Sequence, residues 1–221
     1  MKKPLIINKP LNMTSMDVIR CLRKITGIKK IGHAGTLDPL ATGVLIVCYG
    51  KETKQISSFM DMIKEYIAQI NLSAFSETDD AQGPITPIEI KHIPTAQEVQ
   101  LVIQKFIGNI EQMPPRYSAL KVNGQRAYKL AREGKPVELQ PRQIQINSIE
   151  ILKYEWPLLT IKVVCGKGTY IRSLARDIGT TLKTGGYLTK LERTAIGKYT
   201  LTEALELDNI ESIKDTLDLD L

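Results

Sequence analysis

A polar loop at residues 32–42, rich in glycine and threonine, leads directly into a continuous apolar run at residues 44–49. A short apolar run bounded by turn residues is typical of a strand that is buried on both faces. Before the loop, apolar residues recur at helical spacing after Thr14 or Ser15, either of which can cap a helix, and Gly27 ends the pattern. We therefore expect the flanking helix and strand to anchor the loop, while the loop's own side chains stay accessible.

The rest of the chain alternates between strand and helix patterns. Strands are predicted near residues 5–7, 66–72, 118–122, 144–152, 158–165 and 187–194, and helices near residues 51–62, 95–107, 126–133 and 169–182. Polar residues 76–94 indicate a long connection, and Asn123 with Gly124 indicates a tight turn. These patterns predict an α/β fold of the α+β type, with a mixed, largely antiparallel central sheet flanked by helices, in a single domain over residues 1–221.

Composition excludes several classes of protein. Of the 221 residues, 43% are apolar and 24% are charged, as in ordinary globular proteins. No stretch approaches the roughly 20 apolar residues of a membrane helix, and the first seven residues resemble a strand more than a signal peptide. The three cysteines are widely spaced among apolar residues. We expect a cytoplasmic protein with free thiols and no membrane attachment.

Metal binding is not expected, because His33 and His92 are the only histidines and no two cysteines have metal-ligating spacing. The net charge is +6, and basic residues cluster near residues 20–30, 116–135 and 162–176. Such clusters fit a polyanionic partner such as nucleic acid, although a merely solubilising surface has the same composition.

The loop at residues 32–42 contains one carboxylate, Asp38. An aspartate followed by proline is most often a turn former or a helix cap. Here its neighbours are several glycines, a histidine and two threonines, and the loop runs straight into a buried strand. This setting favours a functional carboxylate over a turn residue.

Residues 33–43 resemble the signature of the bacterial tRNA pseudouridine-55 synthases, the TruB family. The resemblance continues through six further blocks, which are residues 8–10, 64–66, 114–121, 124–128, 167–174 and 191–193. It implies the pseudouridine-synthase catalytic fold and an isomerase that converts uridine to pseudouridine in the T loop of tRNA. Isomerisation moves the uracil from N1 to C5 without gain or loss of atoms, so no cofactor is expected.

The resemblance also assigns the catalytic residues. Asp38 matches the catalytic aspartate and Arg172 the arginine that pairs with it, a residue that stays charged and can grip a carboxylate with two bonds. Tyr66 matches the tyrosine that stacks on the flipped base and whose hydroxyl is the candidate for removing the C5 proton. Three routes stay open to Asp38: attack at C1′, attack at C6, or removal of a ribose proton through a glycal.

Further positions match residues around the base. Tyr170 matches a tyrosine that contacts the base, and Leu191 matches an apolar wall of the pocket. His33 matches a histidine that faces the RNA, and Lys9 with Pro10 matches a motif that supports the active-site loop. Without the resemblance, Tyr170 and Leu191 are ordinary core residues and His33 is a residue that orders its own loop.

Residues 113–140 match an RNA-gripping insertion, here called the insertion, that closes on the T arm of tRNA. Its basic side chains are expected to bind RNA, and they are Arg116, Lys121, Arg126, Lys129 and Arg132. A solvated amphipathic helix with basic residues on its wet face is the alternative interpretation. Because the target base lies inside a folded loop, it must be flipped out, and phosphate contacts would offset that cost.

Many members of the family carry a C-terminal RNA-binding domain of the PUA type. About twenty residues follow Tyr199, which is too few for such a domain, so we expect none in this chain. We expect a monomer that needs no protein partner. Two alternatives accompany the isomerase interpretation. One is an RNA chaperone that folds tRNA, and the other is a guide-RNA-dependent synthase that works within a multi-protein particle.

Overall fold

The computed structural model describes residues 3–122, 124–209 and 213. In chain order the strands are β1 Leu5–Lys9, β2 Ile31–Ala34, β3 Ala41–Tyr49, β4 Lys64–Asn71, β5 Ala74–Ser76, β6 Ile85–Pro87, β7 Gly108–Gln112, β8 Lys121–Val122, β9 Gln125–Arg126, β10 Arg142–Glu155, β11 Leu158–Cys165, β12 Tyr187–Ile196, β13 Tyr199–Thr200 and β14 Leu205–Glu206. The α-helices are α1 Ser15–Thr26, α2 Ile56–Asp61, α3 Ala96–Gln104, α4 Ala127–Arg132 and α5 Ile171–Leu182, with 3₁₀ helices at Gly50–Gln55 and Leu201–Glu203.

The chain divides into two compact units, the first formed by Met1–Ile67 with Lys190–Leu221 and the second by Ala68–Thr189. Strands β4 and β12 each contribute residues to both units. In the first unit, β1 pairs antiparallel with β3 and parallel with β14, while β3 also pairs antiparallel with β2 and parallel with β12. In the second unit, β10 pairs antiparallel with both β11 and β7. The predicted mixed, largely antiparallel sheet with flanking helices is confirmed.

Strand β3 is buried on both faces, as its apolar run predicts. Leu45 and Val47 belong to a core cluster with α1, whereas Val44 and Ile46 belong to a second cluster that includes Phe59 of α2. Because successive residues of a strand point to opposite faces, the two clusters cover the two sides of the strand. The end of the loop that precedes β3 is therefore fixed by the core of the first unit.

Two helices begin where the sequence indicates. Thr14 caps α1 and pairs with Asp17 in a capping box, and Gly27 ends the helix in the left-handed conformation at φ +70°. Thr95 and Glu98 form the corresponding box at the start of α3, which packs against α5 and β10 in the second unit. Local hydrogen bonding thus places both helices with little help from the rest of the chain.

Other elements differ from the predictions. The first residues of the predicted loop form β2, which pairs with β3, and the predicted helix at residues 51–62 splits into a 3₁₀ helix and α2. The long connection at residues 76–94 contains part of the short hairpin β5–β6. Strand β7 has no apolar alternation to reveal it, because only its last residue, Gln112, is buried. Among the turn residues, Gly124 has φ +82°, and Asn123 lies outside the described residues.

Candidate active site

The loop that carries Asp38 lies in the first unit between β2 and β3 and is held by side chains of α1. The buried hydroxyl of Ser15 accepts a hydrogen bond from the Leu37 N–H at 2.9 Å and lies 3.2 Å from the Leu37 carbonyl, to which it donates. Thr14 takes the capping role at this helix, so Ser15 is left to brace the loop. The residue before Asp38 is therefore fixed through both of its backbone polar groups.

The residues on the other side of Asp38 are fixed through the main chain. The Asn12 N–H donates to the Pro39 carbonyl at 2.8 Å, and the Ala41 N–H donates to the Asp38 carbonyl at 3.0 Å, which closes a turn. Asn12 adopts φ +64°, a conformation that asparagine tolerates better than most residues. With its neighbours held on both sides, half-buried Asp38 has a defined backbone position.

Arg193 of β12 supports the same loop from inside the first unit. Its side chain is 1% exposed, with Nε donating to the Val44 carbonyl at 2.8 Å and Nη2 donating to the Gly35 carbonyl at 3.1 Å. A buried guanidinium requires such acceptors because it cannot lose its charge. Arg193 therefore ties the start of the loop to β3.

Lys9 is fully buried and donates to two carbonyls, Pro10 at 2.7 Å and Met13 at 2.6 Å. Burial lowers the pKa of Lys9 to about 8, and the carboxylate of Asp38 opposes that shift. Lys9 thus places a positive charge within electrostatic range of Asp38 and orders the turn that contains Asn12. Its structural role in supporting the loop, together with that of Pro10, stays a prediction that these contacts favour.

His33 lies in β2 opposite Val47 and is half-buried. Burial lowers the pKa of His33, and the positive charge of Arg193 lowers it further. The imidazole is therefore neutral near pH 7. A neutral ring suits a residue that contacts RNA or fills space, and it does not suit a general acid.

Tyr66 and Leu191 also belong to the first unit. Tyr66 is 9% exposed on the buried face of β4, and the strand before it is anchored by Lys64, whose ammonium donates to the Met62 carbonyl at 2.6 Å. Leu191 of β12 is 8% exposed and pairs in register with Ala41, three residues after Asp38. Leu191 is thus next to the end of the Asp38 loop.

Arg172, at the start of α5 in the second unit, is 6% exposed. Its Nη1 donates to the Thr78 carbonyl and its Nη2 to the Tyr117 carbonyl, each at 3.0 Å, and its Nε lies 3.8 Å from Oδ2 of Asp80. Asp80 is itself held by the Thr78 hydroxyl at 2.6 Å and by the Gln82 N–H at 3.0 Å. The guanidinium is therefore rigidly oriented and is not an ordinary surface arginine.

Tyr170 directly precedes α5 and is held by its backbone. The Tyr170 N–H donates to Oε1 of Gln112 at 2.9 Å, and Nε2 of Gln112 donates to the Tyr170 carbonyl at 3.0 Å. Gln112 is 2% exposed, so these two bonds form away from competing water. One buried amide thus fixes the residue that precedes Arg172 by two positions.

The basic residues of the insertion lie at its surface. Its regular elements are the two-residue strands β8 and β9 and the six-residue helix α4. All five predicted RNA-binding residues are exposed, namely Arg116, Lys121, Arg126, Lys129 and Arg132. Arg126 donates to the Ala119 carbonyl, and the Arg132 guanidinium lies 5.6 Å from the centre of the Tyr128 ring. The insertion therefore presents accessible positive charge together with an aromatic ring.

No group of three or more potential metal-ligating side chains occurs among the described residues. The described helices are all too short or too polar to cross a lipid bilayer.

Comparison with protein families identifies the chain. Residues 23–171 match the model of the TruB family pseudouridylate synthase, N-terminal domain. The chain belongs to this family. Of the candidate residues, His33, Asp38, Tyr66 and Tyr170 lie within the matched residues, whereas Arg172 and Leu191 lie beyond them.

Individual relatives give the same result. The chain is 47% identical over 210 residues to the tRNA pseudouridine synthase B of Francisella tularensis subsp. tularensis strain WY96-3418, an alignment that covers 94% of the chain and 69% of the relative. The protein of the same name from Francisella philomiragia is also 47% identical with the same coverage. Both alignments extend over nearly the whole chain.

Solved structures show the same fold. The chain resembles a chain of a Cbf5-Nop10-Gar1 complex at 27% identity and a TM-score of 0.74. It resembles a chain of an H/ACA RNP bound to a substrate RNA containing 2′-deoxyuridine at 25% identity and a TM-score of 0.72. Each match covers 98% of this chain but only 56% of the solved chain. The chain thus spans little more than half the length of these structural relatives.

Sequence reasoning missed several supporting residues. Arg193 and Gln112 are polar residues in strands. In the second unit the buried carboxylates of Asp79 and Asp80 pair with Arg176 and Arg172, respectively. The available signals were a charged residue inside a strand pattern, an adjacent acidic pair, and two arginines four residues apart on one helix. Each signal is weak alone, because the contacts join residues that are distant in sequence.

Proposed function

We propose that this chain isomerises uridine to pseudouridine at position 55 in the T loop of tRNA, with Asp38 as the catalytic carboxylate. The observation that carries the proposal is the braced loop of Asp38 in a TruB-family chain, with a defined backbone on both sides of the aspartate. Relatives that are 47% identical are named tRNA pseudouridine synthase B, which supports tRNA as the substrate.

The reaction needs a fixed carboxylate more than it needs any cofactor. The C1′–N1 bond breaks, the uracil turns, and a C1′–C5 bond forms while C5 loses a proton and N1 gains one. A rigidly held nucleophile accelerates such a step because the loss of motional freedom has already occurred during folding. The hydrogen bonds of Ser15, Asn12 and Arg193 to the loop provide that rigidity.

We assign Arg172 as the partner of Asp38. A carboxylate in a partly dry pocket stays ionised only beside a positive charge, and a guanidinium supplies one at every physiological pH. The two carbonyls and the carboxylate of Asp80 around Arg172 fix its orientation, which suits an electrostatic partner.

The remaining roles concern the base. We assign two roles to Tyr66, stacking on the flipped uracil and removal of the C5 proton. Stacking is worth about 1–3 kcal/mol per base. Tyr170 and Leu191 then line the base pocket, and His33 faces the RNA as a neutral ring. Lys9 and Pro10 support the loop from below, as their buried contacts suggest.

We assign RNA binding to the insertion at residues 113–140. Its exposed basic residues Arg116, Lys121, Arg126, Lys129 and Arg132 would contact the phosphates of the T arm and offset the cost of flipping the base. We further propose that the protein works in the cytoplasm as a monomer without an obligatory protein partner.

The two alternative functions, a guide-dependent synthase and an RNA chaperone, have different requirements. A guide-dependent synthase is the weaker candidate, because identity to a chain of the multi-protein Cbf5-Nop10-Gar1 complex is 27% whereas identity to proteins named tRNA pseudouridine synthase B is 47%. An RNA chaperone activity would coexist with isomerisation, since it requires binding and release of tRNA but not Asp38.

The decisive experiment uses a naked T-arm stem-loop as substrate. Wild-type protein is expected to form pseudouridine, and Asp38→Asn should lower the rate at least about a thousandfold while its RNA affinity stays near the wild-type value. Asp208→Asn, which alters an exposed carboxylate in the same unit, is the matched control and should remain fully active.

Each contrary outcome has a definite meaning. Normal pseudouridine formation by Asp38→Asn would remove Asp38 from the chemistry. A wild-type protein that binds and remodels the stem-loop without modifying it would be a chaperone. Activity that requires an assembled particle would favour the guide-dependent alternative.

A further inference from the structure

Helix α5 carries a second arginine, Arg176, one turn after Arg172, and the two side chains contact the same two segments of the second unit. Arg176 Nη1 donates to Oδ2 of Asp79 at 2.9 Å, and Nη2 donates to the Met113 carbonyl at 2.9 Å. Met113 is the first residue after β7 and begins the insertion. A single guanidinium therefore joins a carboxylate to the point at which the insertion leaves the sheet.

Three consecutive residues, 77–79, are connected to the start of the insertion, which we call the root and define as residues 113–117. One connection is direct and two pass through arginines of α5. The Tyr117 hydroxyl donates to Glu77 at 2.7 Å, Arg172 bridges the Thr78 and Tyr117 carbonyls, and Arg176 bridges Asp79 and Met113. Both ends of the root are thus tied to residues 77–79.

The carboxylate of Asp79 is aimed by its own backbone. Asp79 adopts φ +61°, and its carbonyl accepts the Leu188 N–H at 3.0 Å while the Ala81 N–H donates to the Leu188 carbonyl at 2.8 Å. A non-glycine residue holds such a conformation only where its surroundings enforce it. Asp79 is 8% exposed, so its ion pair with Arg176 is partly shielded from water.

The insertion has little structure with which to position itself. Two-residue strands and a six-residue helix are not stable alone, so its placement depends on what holds the root. An insertion with a loose root must be ordered when RNA binds, and that ordering weakens affinity without changing the reacting groups.

We propose that Asp79 and Arg176 are positioning residues for RNA binding, which hold the root so that the insertion is presented to the RNA. The inference rests on the proposed function in taking the T arm of tRNA as the ligand. It separates the two arginines of α5 by role, because Arg172 belongs to the proposed catalytic group in addition to binding Tyr117, whereas Arg176 acts through the root alone.

The test compares Asp79→Asn and Arg176→Gln with a matched control, Glu150→Gln. Glu150 is an exposed carboxylate of β10 in the same unit. With a T-arm stem-loop, both test variants should raise KM roughly tenfold and leave kcat within about twofold, since ordering is lost and chemistry is kept. Glu150→Gln should match the wild type in both parameters.

Hydrogen–deuterium exchange gives a readout that does not need activity. Backbone amides of residues 113–122 should exchange faster in both test variants and at the wild-type rate in Glu150→Gln. Unchanged exchange with unchanged RNA affinity would overturn the inference, and so would a fall in kcat as large as the rise in KM. A test variant that fails to fold would also overturn it, because the pair would then be general structural support.

These outcomes are distinct from failure of the proposed function. Absence of pseudouridine with wild-type protein rejects the function, while exchange at the root and affinity for the stem-loop still decide whether Asp79 and Arg176 position the insertion.

Discussion

Gly43 of β3 lies so close to Arg193 of β12 that a Cβ atom on Gly43 would come within 2.3 Å of the Arg193 carbonyl oxygen. Gly43 also adopts φ +103°, a conformation that side chains rarely allow. The close approach brings the Arg193 guanidinium to the Gly35 and Val44 carbonyls. The position of the Asp38 loop therefore depends on the absence of a side chain at Gly43 of β3.

Gly43→Ala should be severely destabilising, because it adds both a backbone clash and conformational strain. We expect the free energy of unfolding, measured by urea titration, to fall by at least about 3 kcal/mol. Gly27→Ala is the control, since Gly27 has φ +70° with open space around it and should lose only about 1 kcal/mol. Equal losses in the two variants would show that the contact with Arg193 does not matter.

Ser15→Ala should loosen the loop that carries Asp38. It leaves the N–H and carbonyl of Leu37 without their buried partner, which should destabilise the protein by about 1–3 kcal/mol. We also expect kcat on a T-arm stem-loop to fall more than KM rises, because the carboxylate of Asp38 loses its fixed place. Ser58→Ala removes a bond from an exposed serine to the Gln55 carbonyl and should change neither quantity. A kcat equal to that of the wild type would contradict the role of Ser15.

The pH dependence of stability should reveal the burial of Asp79. Burial raises the pKa of Asp79 to about 6 from an ordinary value of 3.8, and Arg176 and Arg172 oppose the shift. The folded protein therefore binds more protons at this group than the unfolded chain between these pH values. Its contribution to stability is greatest below about pH 4 and is lost as the pH rises through 6.

Asp79→Asn should abolish that contribution. Between pH 7.5 and pH 4, the wild type should gain up to about 3 kcal/mol in unfolding free energy relative to the variant. Chemical denaturation of both proteins across this range measures the difference. A constant difference at all pH values would mean that Asp79 has an ordinary pKa.

Elements governed by local interactions could be predicted from the sequence. The capping boxes of Thr14 and Thr95, the terminal Gly27 and the apolar run of β3 each depend on residues within a few positions. Strand β7 could not be predicted in this way, since an edge strand with one buried residue shows no apolar period. Its presence follows from pairing with β10, more than thirty residues further along the chain.

The candidate site shows the same division. Family resemblance selects Asp38, Tyr66 and Arg172, but it does not reveal what holds them. Arg193 donates a hydrogen bond to the carbonyl of Gly35, which lies 158 positions earlier in the chain. Arg172 donates to the carbonyl of Thr78, which lies 94 positions earlier. Such contacts exist only after the strands have paired, so a single sequence contains no periodic signal for them.

The side-chain amide of Gln112 forms its two hydrogen bonds with the main-chain N–H and carbonyl of Tyr170, and not with the ring. Exchanging the aromatic group at this position would therefore leave its point of attachment where it is. With Tyr170 lining the base pocket as we propose, a set of substitutions at residue 170 would place different side chains against the substrate base from the same main-chain position. This position is therefore suited to changing base preference by design.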